Sequence, residues 1–316
     1  MSAGYDALRA SAAWLDLSAR GRIYATGADS ARLLHAMTTN HVQQLKPGMG
    51  CYAFFLNAQG HILADVNLLR LEDRFLLDTE PETRELVYQH LDKYIIADDV
   101  ALEDASEALA CLAVEGPHAA DVLAAIGAPV PDADYAHAAW NGGIVERASS
   151  TGQPGFRVFV PAQSKAEWIG RLESAGAVPA TPDEARTVRL EQGKPRYGED
   201  ICNTTLPQET RQTDAVHFAK GCYLGQEIVE RIRSRGHVNR LLVKLEIEGS
   251  APLPSGARIE AEGKESGEVT SSVFSPALGK TMALAYVRAQ YAAAGTVLSA
   301  AGRTAVVRVQ EALTEQ

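Results

Sequence analysis

A chain of 316 residues is longer than one hydrophobic core usually needs, so two or three domains are expected. Hydrophobic residues make up 46% and charged residues 22%, which provides enough apolar surface for a sizeable core and argues against wholesale disorder. The net charge of −10 excludes an overall basic footprint for nucleic acid, and no apolar run approaches the roughly 20 residues that span a membrane.

From Met1 to Leu17 no basic flank precedes an apolar core, so no export signal is read and a cytoplasmic location is expected. Arg22–Ala25 reads as a short strand, and Asp29 as the cap of a helix whose apolar side is Leu33, Leu34 and Met37. Cys51–Leu56 is a strand, followed by a turn at Asn57-Ala58-Gln59-Gly60. In Ile62–Leu71, Ile62, Ala64, Val66 and Leu68 face one way and Asp65 and Asn67 the other. Arg74–Asp78 reads as its partner strand and Pro81 to about Ile96 as a covering helix. Leu112–Val114 and Gly155–Val160 are further strands, and Pro117 opens a short helix that Gly127 closes. Ser164–Glu167 and Thr181–Glu184 are capping boxes that start two more helices. From Arg240 the pattern becomes short alternating strands between Gly and Pro turns, the signature of a small antiparallel barrel or sandwich.

The chemistry concentrates in Lys220-Gly221-Cys222-Tyr223-Leu224-Gly225-Gln226-Glu227. A helix follows, so Cys222 falls at or just before a helix N-terminus, two residues from Lys220. Both neighbours push a thiol toward thiolate. Cys222, assisted by Lys220, is therefore the candidate reactive group. The four cysteines are otherwise scattered, with no C-x-x-C pair and no zinc spacing, so no tightly bound metal is expected. Arg231, Arg233, Arg235, Arg240 and His237 gather after the cysteine as a local positive patch.

The Lys-Gly-Cys-Tyr-x-Gly-Gln-Glu string resembles the signature of the YgfZ-type folate-binding proteins of iron–sulfur cluster assembly, a branch of the glycine-cleavage T-protein superfamily. Leu56–Gly60, Glu115-Gly116-Pro117, Arg189-Leu190-Glu191-Gln192-Gly193 and Gly267–Leu278 resemble further superfamily segments, so the resemblance runs from about Leu17 to Val309. It implies an α+β fold of three domains in a ring around a folate-binding hole. The expected division is a folate-binding module over 1–240, built of interleaved parts 1–48 with 130–240 and 49–129, and a β-barrel over 241–316. The implied ligand is tetrahydrofolate or a one-carbon derivative, with Glu191 holding the pterin. Asn57, Asp65, Tyr52, Arg189 and Arg240 are further folate candidates, and Tyr94 is a weaker aromatic one. Asp65 doubles as an acid–base candidate.

The implied function is accessory: iron–sulfur cluster assembly or repair through Cys222, with iron–sulfur carriers and client enzymes as partners. The alternative is a folate-dependent aminomethyltransferase. T-proteins resemble one another in two adjacent Asp residues after the glycine turn, where this chain has Ala64 and Asp65. The missing first carboxylate argues for the accessory role.

Overall fold

The computed structural model describes residues 2–236 and 238–309. Its first sheet contains β2 (Gly21–Thr26), β3 (Gly50–Leu56), β4 (Ile62–Arg70), β5 (Phe75–Thr79) and β6 (Ala101–Asp104), in the order β3-β4-β5-β2-β6. Helices α2 (Ser30–Met37) and α3 (Arg84–Asp92) cover one face. The alternation in β4 decides which face that is. Ala64, Val66 and Leu68 bury with Ile23, Ala25, Leu33, Leu34, Met37, Val87 and Leu91, which leaves Asp65 and Asn67 on the other side.

The second sheet joins β1 (Ala13–Asp16), β7 (Leu109–Glu115), a hairpin of β8 (His137–Trp140) and β9 (Gly143–Glu146), β10 (Gly155–Pro161) and β11 (Val178–Pro179). Helices α4 (Ala119–Ala125) and α5 (Lys165–Ser174) cover it through Val122, Leu123, Trp168 and Leu172. The chain passes between the sheets near residues 17–20 and 105–108, not at 48 and 129. The reason is burial: β2 and α2 share the apolar face of β4, so residues 21–37 belong with the first sheet.

The uncovered faces of the two sheets meet. Leu69, Leu76, Cys111 and Phe159 are fully buried there. Beside them Arg20 Nε donates to Asp78 Oδ1 at 2.9 Å, Arg157 pairs with Asp78, and Arg20 pairs with Glu80. Burying such charges costs about what their attraction returns. The apolar side chains, at about 1.5–3 kcal/mol each, therefore carry most of the adhesion. The ion pairs fix which residues face which.

Helix α1 (Ala3–Ala10) lies against α6 (Pro182–Gln192). The N-terminus of α6 carries the expected capping box between Thr181 and Glu184, and Gly193 ends it at φ 76°. The Ser164 box does not form, because Ser164 sits in helical φ/ψ at the end of a 3₁₀ turn. Helix α7 (Gln226–Arg235) is capped by Gly225. The remaining strands are β12 (Arg240–Ile247), β13 (Arg258–Ala261), β14 (Lys264–Ser275), β15 (Lys280–Arg288), β16 (Val297–Ala300) and β17 (Arg303–Arg308). They close an antiparallel barrel in the order β12-β15-β14-β13-β16-β17. The α+β ring with a C-terminal barrel is thus the observed fold. Among the described residues no helix is long and apolar enough to cross a membrane.

Candidate active site

The free face of β3 and β4, the 149–152 loop, the end of α6 and the 211–214 segment enclose a cavity of about 1200 Å³. Glu115 at the end of β7 positions one wall: its carboxylate accepts from the backbone N–H of Ser150 at 2.6 Å and of Thr151 at 2.9 Å. Arg189 positions another. It donates to Asp200 Oδ2 at 2.6 Å and to the Lys194 carbonyl at 2.7 Å, and Asp200 in turn accepts from Thr270 of the barrel at 2.6 Å. The cavity is therefore lined by the two sheet-bearing parts of the ring, and the barrel braces one wall from behind through Asp200.

Asp65 is the chemically distinctive group on this wall. It is buried, and its Oδ2 accepts from the Tyr52 hydroxyl at 2.9 Å. Its Oδ1 is buried with no hydrogen-bond partner in the protein. Burial, with help from the nearby Glu80 charge, pushes the Asp65 carboxyl up to about 6. Tyr52 stacks on Tyr135 with centroids 6.4 Å apart and rings 14° from parallel. Tyr135 donates to Asp214 Oδ2 at 3.2 Å. Lys194 also lines the cavity, and burial lowers its pKa.

Of the sequence candidates, Tyr52, Asp65 and Arg189 lie on the cavity wall. The others lie elsewhere. Glu191 is buried behind α6, where it accepts from Tyr5 and Ser275, both at 2.5 Å, and pairs with Arg9 at 3.1 Å. Asn57 is a turn former: its Oδ1 accepts from the N–H groups of Gln59 and His61 at 2.9 and 3.0 Å. Arg240 pairs with Glu209 at 3.0 Å and covers the Tyr286 ring. Tyr94 is exposed, with its ring near Lys93 and His90.

The Lys220–Glu227 segment is an anchor outside the cavity. Lys220 is buried and donates to the carbonyls of His35 and Thr38 at the end of α2, so its amino group is not turned toward the thiol. Burial depresses its pKa to about 7. Gly225, not Cys222, occupies the cap of α7. A side chain at Gly225 would meet the Asn57 carbonyl at 2.6 Å, and its φ is +82°. Cys222 is exposed at the tip of this segment. The Cys202 thiol has a lowered pKa: burial raises it, but hydrogen bonds with Thr204 (3.2 Å) and Thr205 outweigh that. In the positive patch Arg231 pairs with Glu227 and Arg233 with Glu230. His237 and the side chain of Arg235 lie outside the described residues. Sequence reasoning missed Tyr135, Asp214, Lys194 and Glu115. They come from four separate segments, with no local motif to join them. Among the described residues, no three His, Cys, Asp or Glu side chains are placed to hold a metal ion.

Residues 1–220 match the family model described as the GCVT N-terminal domain, and residues 240–312 match the glycine cleavage T-protein C-terminal barrel domain. An aminomethyltransferase of Streptomyces coelicolor is 33% identical over 310 residues, covering 92% of this chain and 82% of the relative. One from Rubrobacter xylanophilus is 34% identical over 295 residues, covering 91% and 79%. The crystal structure of glycine cleavage system aminomethyltransferase T from Bartonella henselae superposes with a TM-score of 0.88 at 26% identity, covering 99% of this chain and 89% of that one. These likenesses correct the expectation of a YgfZ-type protein acting through Cys222 with iron–sulfur carriers and client enzymes. The relatives named above are aminomethyltransferases, and the segment behind that expectation is a structural anchor outside the cavity.

Proposed function

The chain belongs to the glycine cleavage T-protein family, and on that premise we propose that it is a folate-dependent aminomethyltransferase working with the other glycine-cleavage components. The observation that carries this reading is Asp65: a buried carboxyl on the cavity wall, one oxygen without a protein partner, with its pKa raised toward neutrality. Proton transfer is most efficient when the pKa lies near the working pH.

The objection drawn from Ala64 falls away on geometry. Position 64 is fully buried in the core under α2 and α3, on the opposite face of β4 from the cavity. A carboxylate there would not reach the ligand, so the alanine removes no cavity group.

The wall fits a reduced folate. Its volume suffices, Tyr52 and Tyr135 offer aromatic faces, and the unpartnered Asp65 Oδ1 awaits a polar ligand atom. Tetrahydrofolate, when bound, supplies the two nitrogens that take up the carbon, and their protons end on the carrier thiol and the departing ammonium. Asp65 Oδ1 holds or moves a proton at those nitrogens. Tyr52 fixes the carboxyl by its hydrogen bond to Oδ2. Arg189 keeps the end of α6 in place as a wall.

The test supplies aminomethylated lipoyl carrier protein and tetrahydrofolate and follows ammonia and methylenetetrahydrofolate. Turnover is expected, falling about 10²- to 10⁴-fold in Asp65→Asn. No turnover above the protein-free background would overturn the proposal.

A further inference from the structure

We infer that Asp214 is the carboxylate that receives the donor edge of the pterin, the role expected for Glu191. The inference rests on the folate reading above. A pterin presents a ring N–H beside an exocyclic amino group. A carboxylate matches that pair with its two oxygens.

Glu191 is committed elsewhere. Tyr5, Ser275 and Arg9 occupy it, and it is not among the residues that line the cavity. Two residues apart on a helix are about 200° apart around it, so the turn of α6 that aims Arg189 at the cavity aims Glu191 away.

The other carboxylates on the wall divide by their partners. Asp16 pairs with Lys165, Glu80 with Arg20 and Arg196, and Glu199 with Arg186 and Arg189. Asp65 is the buried acid–base group. Asp183 and Asp214 are both exposed, but Asp183 sits in the first turn of α6, where the free N–H groups of the helix favour a carboxylate. Asp214 accepts one hydrogen bond, from Tyr135 at 3.2 Å, which leaves capacity on both oxygens.

Asp214 is also the one tied to the reacting end of the cavity. Asn40 Nδ2 donates to the backbone carbonyls of Asp214 and Tyr52, both at 2.8 Å, clamping the 211–214 segment to β3. The side chains then run Asp214 to Tyr135, Tyr135 stacked on Tyr52, and Tyr52 to Asp65. Two nearly parallel aromatic rings thus join a carboxylate with spare acceptor capacity to the acid–base carboxyl, which suits a flat ligand with a donor edge and a reactive edge.

Calorimetric binding of tetrahydrofolate to the full chain tests this. Asp214→Asn should weaken binding about ten- to hundredfold, the loss of a charge-assisted pair. Tyr135→Phe, which only frees Asp214 from its orienting bond, should weaken it severalfold. Glu191→Gln should stay within about twofold, as should Asp183→Asn. An analogue with methyl in place of the 2-amino group should bind the wild type poorly and be discriminated far less by Asp214→Asn. Unchanged affinity in Asp214→Asn, or the main loss in Glu191→Gln or Asp183→Asn, overturns the inference while leaving the folate reading intact. Failure of the wild type to bind tetrahydrofolate overturns both.

Discussion

Replacing Asp65 by asparagine should make the protein more stable and less active at the same time. The carboxyl titrates near 6 in the folded chain against 3.8 in an unperturbed one, chiefly because burial disfavours its charge. The native state therefore holds the proton more tightly than the unfolded state. The group's contribution to stability is whole below about pH 4 and is lost as pH rises through 6. A gap of about two units at roughly 1.4 kcal/mol each is a penalty of about 3 kcal/mol at pH 8. Asparagine keeps an acceptor for Tyr52 and carries no charge to desolvate. Urea unfolding at pH 8 should show Asp65→Asn more stable than wild type by about 1–3 kcal/mol, and the difference should vanish near pH 4. The same variant should lose transfer activity. A pH-independent destabilisation would refute the electrostatic argument, as would a direct titration of Asp65 near 4.

Lys220, depressed to about 7 by burial, works in the opposite pH direction. Its stability contribution is present above the unfolded value near 10.5 and lost as pH falls through 7, so wild type should gain stability from pH 7 to 10 and Lys220→Met should gain less, read by denaturant midpoints across that range. Alkylation mapped by mass spectrometry near pH 8 should modify the exposed Cys202 and Cys222 and spare Cys51 and Cys111, whose thiols burial pushes to about 12. Rapid labelling of either buried thiol in the folded chain would contradict this structure.

Features carried by local periodicity were legible in the sequence. The alternation of β4 placed Asp65 on the face opposite Ala64 and Val66, and the alternation of β12 with the Gly and Pro turns after it identified the barrel strands. The Thr181–Glu184 box was readable because capping is a contact within one helical turn. What failed depended on distant partners. Glu191 looked available because nothing in Arg-Leu-Glu-x-Gly tells which face of α6 meets Tyr5 and Ser275. Cys222 and Lys220 looked coupled because they are two residues apart, yet the lysine finds its acceptors 182 and 185 residues away. Strand β1 is four residues long and exists by pairing with β7 and β11. Its sequence alone does not announce it.

That pairing has a consequence for how the protein is made. Ala13 meets Glu115 on one side and Val178 on the other, while the whole first sheet lies between, from Gly21 to Asp104. A ribosome adding roughly 5–20 residues per second leaves β1 without its outer neighbour for about 8–33 s. The first sheet can collapse around its own helices in that interval, so the segment that emerges first is among the last to be locked in place. Slowing elongation between residues 105 and 180 would prolong the time for which an unpaired N-terminal strand is open to proteases and chaperones.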